Sequence, residues 1–345
     1  MSRSRLLVTT LVGAALLVAA CSADDGSESA STSVPSETTT PSTTTRPAGP
    51  APSAGCDATP VLPPGTADDT MQSGGQERHY QLVLPADYDG RQPLPLVFAL
   101  HALTVPYGVT PSIDGLLDEA ATRDFVIVAP SGLLDAGAPY WLAAPVEPNY
   151  DVDFIGALLD RVEADVCFDT SLVFSTGQSN GAQMSSLLAC RMDDRITAVA
   201  PVDGVEFNDE TCTGDPVPVM AFHGDADPVV TYEGGGLNAT TIANQQYWKG
   251  DVPEGLPVHG GVDQAMAEWA AHNGCAPEPV EDRISPEVIR RTWQDCQAET
   301  VLYVVEGGGH TWPGRPVAGF EDQFGPTTTD IDATALIFDF WLGPS

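Results

Sequence analysis

Seven short apolar runs divide the middle of the chain: residues 80–84, 94–100, 125–129, 172–175, 198–202, 217–222 and 301–305. They are rich in Val, Leu, Ile and Phe, and most are continuous rather than alternating. Strands buried on both faces of a parallel sheet carry that pattern. Segments with helical spacing fall between and after them, at 113–123, 151–164, 180–191, 262–272 and 333–342. Strands alternating with helices predict an α/β fold, a mostly parallel sheet flanked by helices.

The N-terminal residues break from this pattern. Arg3 and Arg5 precede an apolar run over 6–20, which predicts a secretory signal peptide over residues 1–20. The run is short for a membrane span, which needs about 20 apolar residues. It ends in "LLVAAC", which resembles a bacterial lipobox, with Val18 where leucine is commoner. That resemblance implies a lipid on Cys21 and an exported protein held at the membrane; plain secretion is the alternative. Residues 21–54 are mostly Ser, Thr, Pro, Ala and acid, with Val34 the only large aliphatic residue. Such a stretch has too little apolar surface to offset the entropy of ordering, and it reads as a disordered tether. The globular composition of 55–345 suits one large α/β domain or two small ones.

Charge and cysteine content narrow the partners. The chain carries 14 Lys and Arg against 48 Asp and Glu, a net charge of −34. Nucleic acid is excluded as a partner, because phosphate binding needs clustered basic side chains. Beyond Cys21 there are six cysteines and no C-x-x-C, so neither a zinc knuckle nor any other metal site is expected. An even number in an exported chain suggests three disulfides. Pairing sequence neighbours gives Cys190–Cys212 and Cys275–Cys296 and leaves Cys56–Cys167.

Ligands of such sheets bind beyond the carboxyl ends of the strands, so the polar residues that follow strands matter most. His101-Ala102 follows 94–100, and Gln178-Ser179 follows 172–175. "HGDADP", with Asp225 and Asp227, follows 217–222, and "GGGHTWPG", with His310, follows 301–305. Ser, Asp and His thus follow three separate strands in that order. Ser179 lies in Gly177-Gln178-Ser179-Asn180-Gly181, a G-x-S-x-G placed between a strand and a helix, as a nucleophile elbow requires. The N–H of Asn180, at the helix start, can meet a developing oxyanion. Of the six histidines, His310 alone follows a strand end after both other candidates. Asp225 and Asp227 both suit the acid, and position does not separate them.

"GQSNGAQMS", "FHGDADPVVTYEGG", "EWAAHNGC" and "VEGGGHTWPG" together resemble the secreted esterases that include polyhydroxybutyrate depolymerase-like proteins and feruloyl esterases. The likeness runs from about Cys56 to the C-terminus. It implies an α/β-hydrolase fold without a cofactor, with Ser179 as nucleophile, His310 as base and Asp227 as acid. The family usually has His-Gly where this chain has His101-Ala102. The loop there should supply a second oxyanion N–H from Ala102 or Leu103, and alanine narrows its backbone choices. His101 reads as structural. Trp312, Trp141 and Tyr107 are candidates for a substrate pocket, Trp248 more loosely, and the Gly-rich stretch 234–261 reads as a partial lid. The expected activity is hydrolysis of carboxylic esters through an acyl-enzyme, on hydroxybutyrate oligomers or on feruloyl or acetyl esters of polysaccharide. A serine peptidase of the same fold and a non-catalytic binding lipoprotein are the alternatives.

Overall fold

The structure is a computed structural model, and it describes residues 50–59, 61–135, 138–235 and 260–343. The signal segment, Cys21, nearly all of the tether, Trp248 and most of 234–261 lie outside the described residues.

Ten strands form one sheet. In chain order they are β1 (Gly65–Ser73), β2 (Gln76–Leu84), β3 (Leu94–Leu100), β4 (Val126–Pro130), β7 (Phe168–Gln178), β8 (Ala198–Val202), β9 (Val219–Gly224), β10 (Val280–Arg283), β11 (Val288–Thr292) and β12 (Thr300–Val305). A separate hairpin pairs β5 (Leu133–Asp135) with β6 (Ala138–Tyr140). The sheet order is β1-β2-β4-β3-β7-β8-β9-β12-β11-β10. Its six central strands, β4 to β12, are parallel, and the strands at both margins are antiparallel.

The central strands are those whose continuous apolar runs stand out in the sequence. Leu96, Phe98 and Leu100 of β3 face one layer of core, and Val97 and Ala99 face the other. Burial on both faces explains why these runs do not alternate. The first layer packs under α3 (Tyr150–Asp165), α4 (Asn180–Arg191) and α5 (Val262–His272), through Phe154, Leu188 and Trp269 among others. The second packs under α2 (Leu116–Arg123) and α7 (Ala333–Leu342), where Trp341 stacks on Phe174 at 4.8 Å. A short α1 (Thr110–Ile113) precedes α2, and a short α6 (Glu321–Phe324) precedes α7. Three disulfides join Cys56 to Cys167, Cys190 to Cys212 and Cys275 to Cys296. They fit folding in an oxidising compartment outside the cytoplasm.

The described residues include some that composition assigns to the tether. Ser53 N–H donates to Phe168 O at 2.8 Å, and Ala51 N–H donates to the Asp169 carboxylate at 3.0 Å. Residues 51–54, expected in the tether, therefore run against the start of β7. Backbone hydrogen bonds hold them there, and composition does not register such bonds.

Candidate active site

Strand β7 ends at Gln178 and helix α4 begins at Asn180, so Ser179 carries the whole change of direction. Its φ of 57° and ψ of −121° lie where L-residues seldom go. The glycines flanking it permit the crossing. A Cβ on Gly177 would collide with the carbonyl oxygen of Leu100, and one on Gly181 with the carbonyl oxygens of Leu100 and His101. The backbone therefore passes directly over the end of β3, and the Ser179 hydroxyl stands at the rim of the sheet.

His310 follows β12 and is held by backbone bonds across the chain, its N–H donating to Phe324 O at 2.6 Å. Its Nδ1 donates to Asp227 Oδ2 at 2.7 Å. The other oxygen of Asp227 accepts from the N–H groups of Val229 and Val230, at 2.7 and 2.9 Å. The carboxylate is thereby fixed in plane and saturated. Asp225 is different: its carboxylate caps the N–H of Gly307 on the exposed side of the turn. Ser179 and His310 line one cavity. Among the described residues no hydrogen bond joins them, and such contacts often tighten only when substrate is bound.

Two further titratable residues crowd this carboxylate. His223 Nε2 lies 3.4 Å from Asp227 Oδ2 and donates to Val230 O at 2.8 Å. Asp203 follows β8 with a φ of 53° and is buried, its carboxylate accepting from Gln178 Nε2 at 3.2 Å. Burial alone would lift the Asp227 carboxyl, but the imidazoles of His310 and His223 override it and hold it well below the usual range. Burial pushes Asp203 up to about 6, against the pull of His310. Burial opposes a charged His310, yet Asp227 and then Asp203 raise its pKa above that of a free imidazole. The cluster thus favours positive charge on His310, as a base that must accept a hydroxyl proton requires. Asp203 obeys the same strand-end rule that points to Asp227, and that rule applied to 198–202 would have found it.

The loop after β3 is built on His101. The ring is fully buried and stacks on Trp141 at 4.8 Å. Its Nε2 accepts the N–H of Gly132 at 2.9 Å, so the proton sits on Nδ1, which donates to Ala102 O at 2.9 Å. Burial holds its pKa down at about 4 and keeps it neutral. In a trans peptide the carbonyl and the following N–H point opposite ways. Anchoring Ala102 O on the buried ring therefore turns the N–H of Leu103 away from it. Ala102 itself is not among the positive-φ residues; in this loop that conformation falls on Thr104, at 68°. Alanine in place of the usual glycine adds no left-handed strain.

The cavity beside Ser179 and His310 is about 490 Å³ and mainly apolar, with Leu103, Val109, Ile113, Val229, Trp312 and Phe320 among its walls. Of the aromatic candidates, Trp312 lines it. Trp141 and Tyr107 do not. Trp141 is fully buried under the elbow, where its backbone N–H donates to Asn180 Oδ1 at 2.6 Å and its indole N–H to His101 O at 3.0 Å. Its place is structural, because the side chain is fully buried, its one indole N–H is bonded to the scaffold and its ring is stacked on His101. Asn180 Nδ2 returns a bond to Trp141 O at 3.0 Å, so the side chain is committed to the scaffold while its N–H lies in the helix's first turn, without an intrahelical acceptor.

No protein-family model matches the chain. Feruloyl esterase D of Neurospora crassa is 30% identical over 295 residues, covering 81% of this chain and 89% of that protein. A probable feruloyl esterase C of Aspergillus niger is 30% identical over 286 residues, 80% of this chain and 89% of its own. Among solved structures, an acetyl xylan esterase from Aspergillus awamori matches with a TM-score of 0.52 at 16% identity, over 74% of this chain and 97% of that one. That likeness, with the parallel sheet between two helix layers, is one of fold: the α/β-hydrolase fold. At this identity, and across nearly nine-tenths of its curated relatives, the chain belongs to the feruloyl esterase family and is a carboxylic ester hydrolase.

Proposed function

We propose that this protein hydrolyses esters of hydroxycinnamic acids, such as feruloyl groups carried by polysaccharide, through an acyl-enzyme on Ser179. His310 takes the hydroxyl proton as Oγ attacks the ester carbonyl, and the N–H groups of Asn180 and Leu103 receive the oxyanion. The carbonyl re-forms as the C–O bond to the alcohol breaks, and the alcohol leaves with the proton from His310. Water, deprotonated by His310, then attacks the acyl-enzyme and releases the acid and Ser179. Asp227 holds the imidazole with Nε2 free for these transfers.

The observation that carries this reading is the apolar cavity beside Ser179 and His310. Its volume of about 490 Å³ suits an aryl acyl group and greatly exceeds what an acetyl group fills. The relatives' names support the same substrate class. Export, with Cys21 lipidated, puts the enzyme where polymeric esters are found. The test is hydrolysis of methyl ferulate and of a short acetyl ester by the protein and by Ser179→Ala. Turnover of methyl ferulate that vanishes in the variant is expected. Turnover of acetyl esters alone would overturn the substrate class, and undiminished turnover by Ser179→Ala would overturn the mechanism.

A further inference from the structure

A second cavity, of about 410 Å³, meets the first at Gln183, which lines both. Its volume falls in the range of small-molecule sites. It runs along α4, where Gln183, Ser186, Leu187 and Cys190 share one face over about 10 Å of helix. Helix α5 supplies another wall through Gln264 and Glu268, and the segment after β8 adds Glu206 and Phe207. Strand β8 lies between β7, which leads to Ser179, and β9, which leads to Asp227. In sheet order that is the side of Ser179 on which Asp227 and His310 stand, and His310 protonates the departing alcohol.

Glu206 is fixed from both helices. Its N–H donates to Ser186 Oγ at 3.2 Å, and its carbonyl accepts from the indole N–H of Trp269 at 2.8 Å. Its Oε1 accepts from Gln183 Nε2 at 2.8 Å. Its Oε2 has no partner among the described residues and is not enclosed by protein, so it faces the cavity. Burial pushes this carboxyl up to about 8, which makes it an O–H donor at neutral pH. On the α5 wall, Gln264 Nε2 donates to Glu268 Oε1 at 2.9 Å and leaves Gln264 Oε1 and Glu268 Oε2 as acceptors.

This lining selects an alcohol by its chemistry. Among the described residues no Lys, Arg or His lines the cavity, whereas Glu206, Asp209 and Glu268 do, so an anionic alcohol is disfavoured. A quaternary ammonium is held by a cage of aromatic faces, and Phe207 is the one aromatic wall among the described residues. A sugar fits better. Each of its hydroxyls both donates and accepts, as walls that offer a carboxyl O–H and free acceptors require. The ring of Phe207, set edge to face on Trp269 at 5.2 Å, offers an apolar surface for the C–H face of a pyranose or furanose.

We infer that this second cavity is the alcohol subsite, which takes the sugar that carries the acyl group, with Gln183 and Glu206 at the end nearest the ester. The enzyme then reads both halves of its substrate, in two cavities that meet at one side chain. This rests on the feruloyl-ester reading above and deepens it, because it places the alcohol and makes its recognition part of turnover. Binding energy from that remote half of the substrate raises kcat/KM over that of an ester whose alcohol is too small to reach it.

The experiment measures kcat/KM for methyl ferulate, for glucose esterified with ferulic acid at its primary hydroxyl, and for feruloyl choline. The parent is expected to favour the sugar ester over methyl ferulate by about tenfold or more. Glu206→Leu and Glu268→Ala are each expected to bring that ratio below about threefold, while Glu206→Gln, which keeps a donor toward the cavity, retains most of it. Thermal unfolding confirms that each variant is folded. Glu268→Ala, at a half-buried helix position, carries the test if Glu206→Leu does not fold. A parent that hydrolyses methyl ferulate and the sugar ester equally well overturns the subsite and leaves the feruloyl-ester reading standing. A parent that hydrolyses none of the three esters overturns that reading and the subsite with it. A preference for feruloyl choline over the sugar ester overturns the choice of alcohol, and a sugar preference that survives in the folded variants overturns the choice of cavity.

Discussion

Replacing Asp227 by Asn tests the arrangement most directly. The amide oxygen can still accept from Val229 and Val230, so the turn after β9 keeps its bonds. The other position is then an NH2 group facing His310 Nδ1, where the carboxylate accepted a bond at 2.7 Å. Two donors cannot share that contact. The imidazole must move its proton to Nε2 or rotate, and in either state it cannot take the Ser179 proton. Loss of the negative charge also lowers the pKa of His310, which Asp227 raises more than any other residue. Wrong-tautomer substitutions of this kind cost about 10³–10⁴ in kcat, or roughly 4–5.5 kcal/mol of transition-state stabilisation. Asp225→Asn leaves an amide oxygen to accept from Gly307 N–H at the exposed turn, removes only a charge that does not touch His310, and should change kcat less than about threefold. The assay is steady-state hydrolysis of p-nitrophenyl acetate by both variants, with thermal unfolding to confirm the fold. An Asp227→Asn enzyme within tenfold of the parent, or an Asp225→Asn enzyme as impaired as Asp227→Asn, would refute the reasoning.

Ser179→Gly should abolish turnover yet raise thermal stability. It relieves a φ of 57° that costs about 1–3 kcal/mol, against about 0.5–1 kcal/mol of added chain entropy. A lower Tm than the parent's would show that the elbow is unstrained. Glu206 gives the pH prediction. Burial pushes its carboxyl up to about 8, with Gln183 opposing. The folded chain then binds this proton more tightly than the unfolded one, so its stabilising contribution is complete below pH 4.5 and lost as pH rises through 8. Glu206→Gln keeps the acceptor for Gln183 and should be more stable than the parent above pH 8, by about 1–3 kcal/mol once partial exposure is allowed for, and so unfold at a higher temperature. Unfolding curves across pH 5–9 that coincide for the two proteins would count against a buried neutral carboxyl.

Much of the architecture was legible because the central strands are apolar on both faces. The runs 94–100 and 198–202 coincide with β3 and β8, and helices 180–191, 262–272 and 333–342 coincide with α4, α5 and α7. The outermost strands were not legible. Strands β1 and β10 are exposed along most or all of their length, so their residues are polar and leave no apolar period to read. The elbow at Ser179 was legible for a local reason, since its glycines and its strand-to-helix setting lie within five residues.

The sequence by itself determined which residues could stand at strand ends, because alternation of strands and helices follows from where apolar side chains recur. It also determined the elbow, since only glycine tolerates the crossing over β3. Position along the chain left Asp225 and Asp227 tied and only the family resemblance chose between them; tertiary structure supplied the physical reason, giving one the imidazole and the other the surface. It moved Trp141 from the pocket into the scaffold, brought Asp203 and His223 against Asp227, and gathered Gln183, Glu206 and Glu268 around a second cavity. Such contacts depend on strand order and loop path in three dimensions, and local spacing carries no record of either.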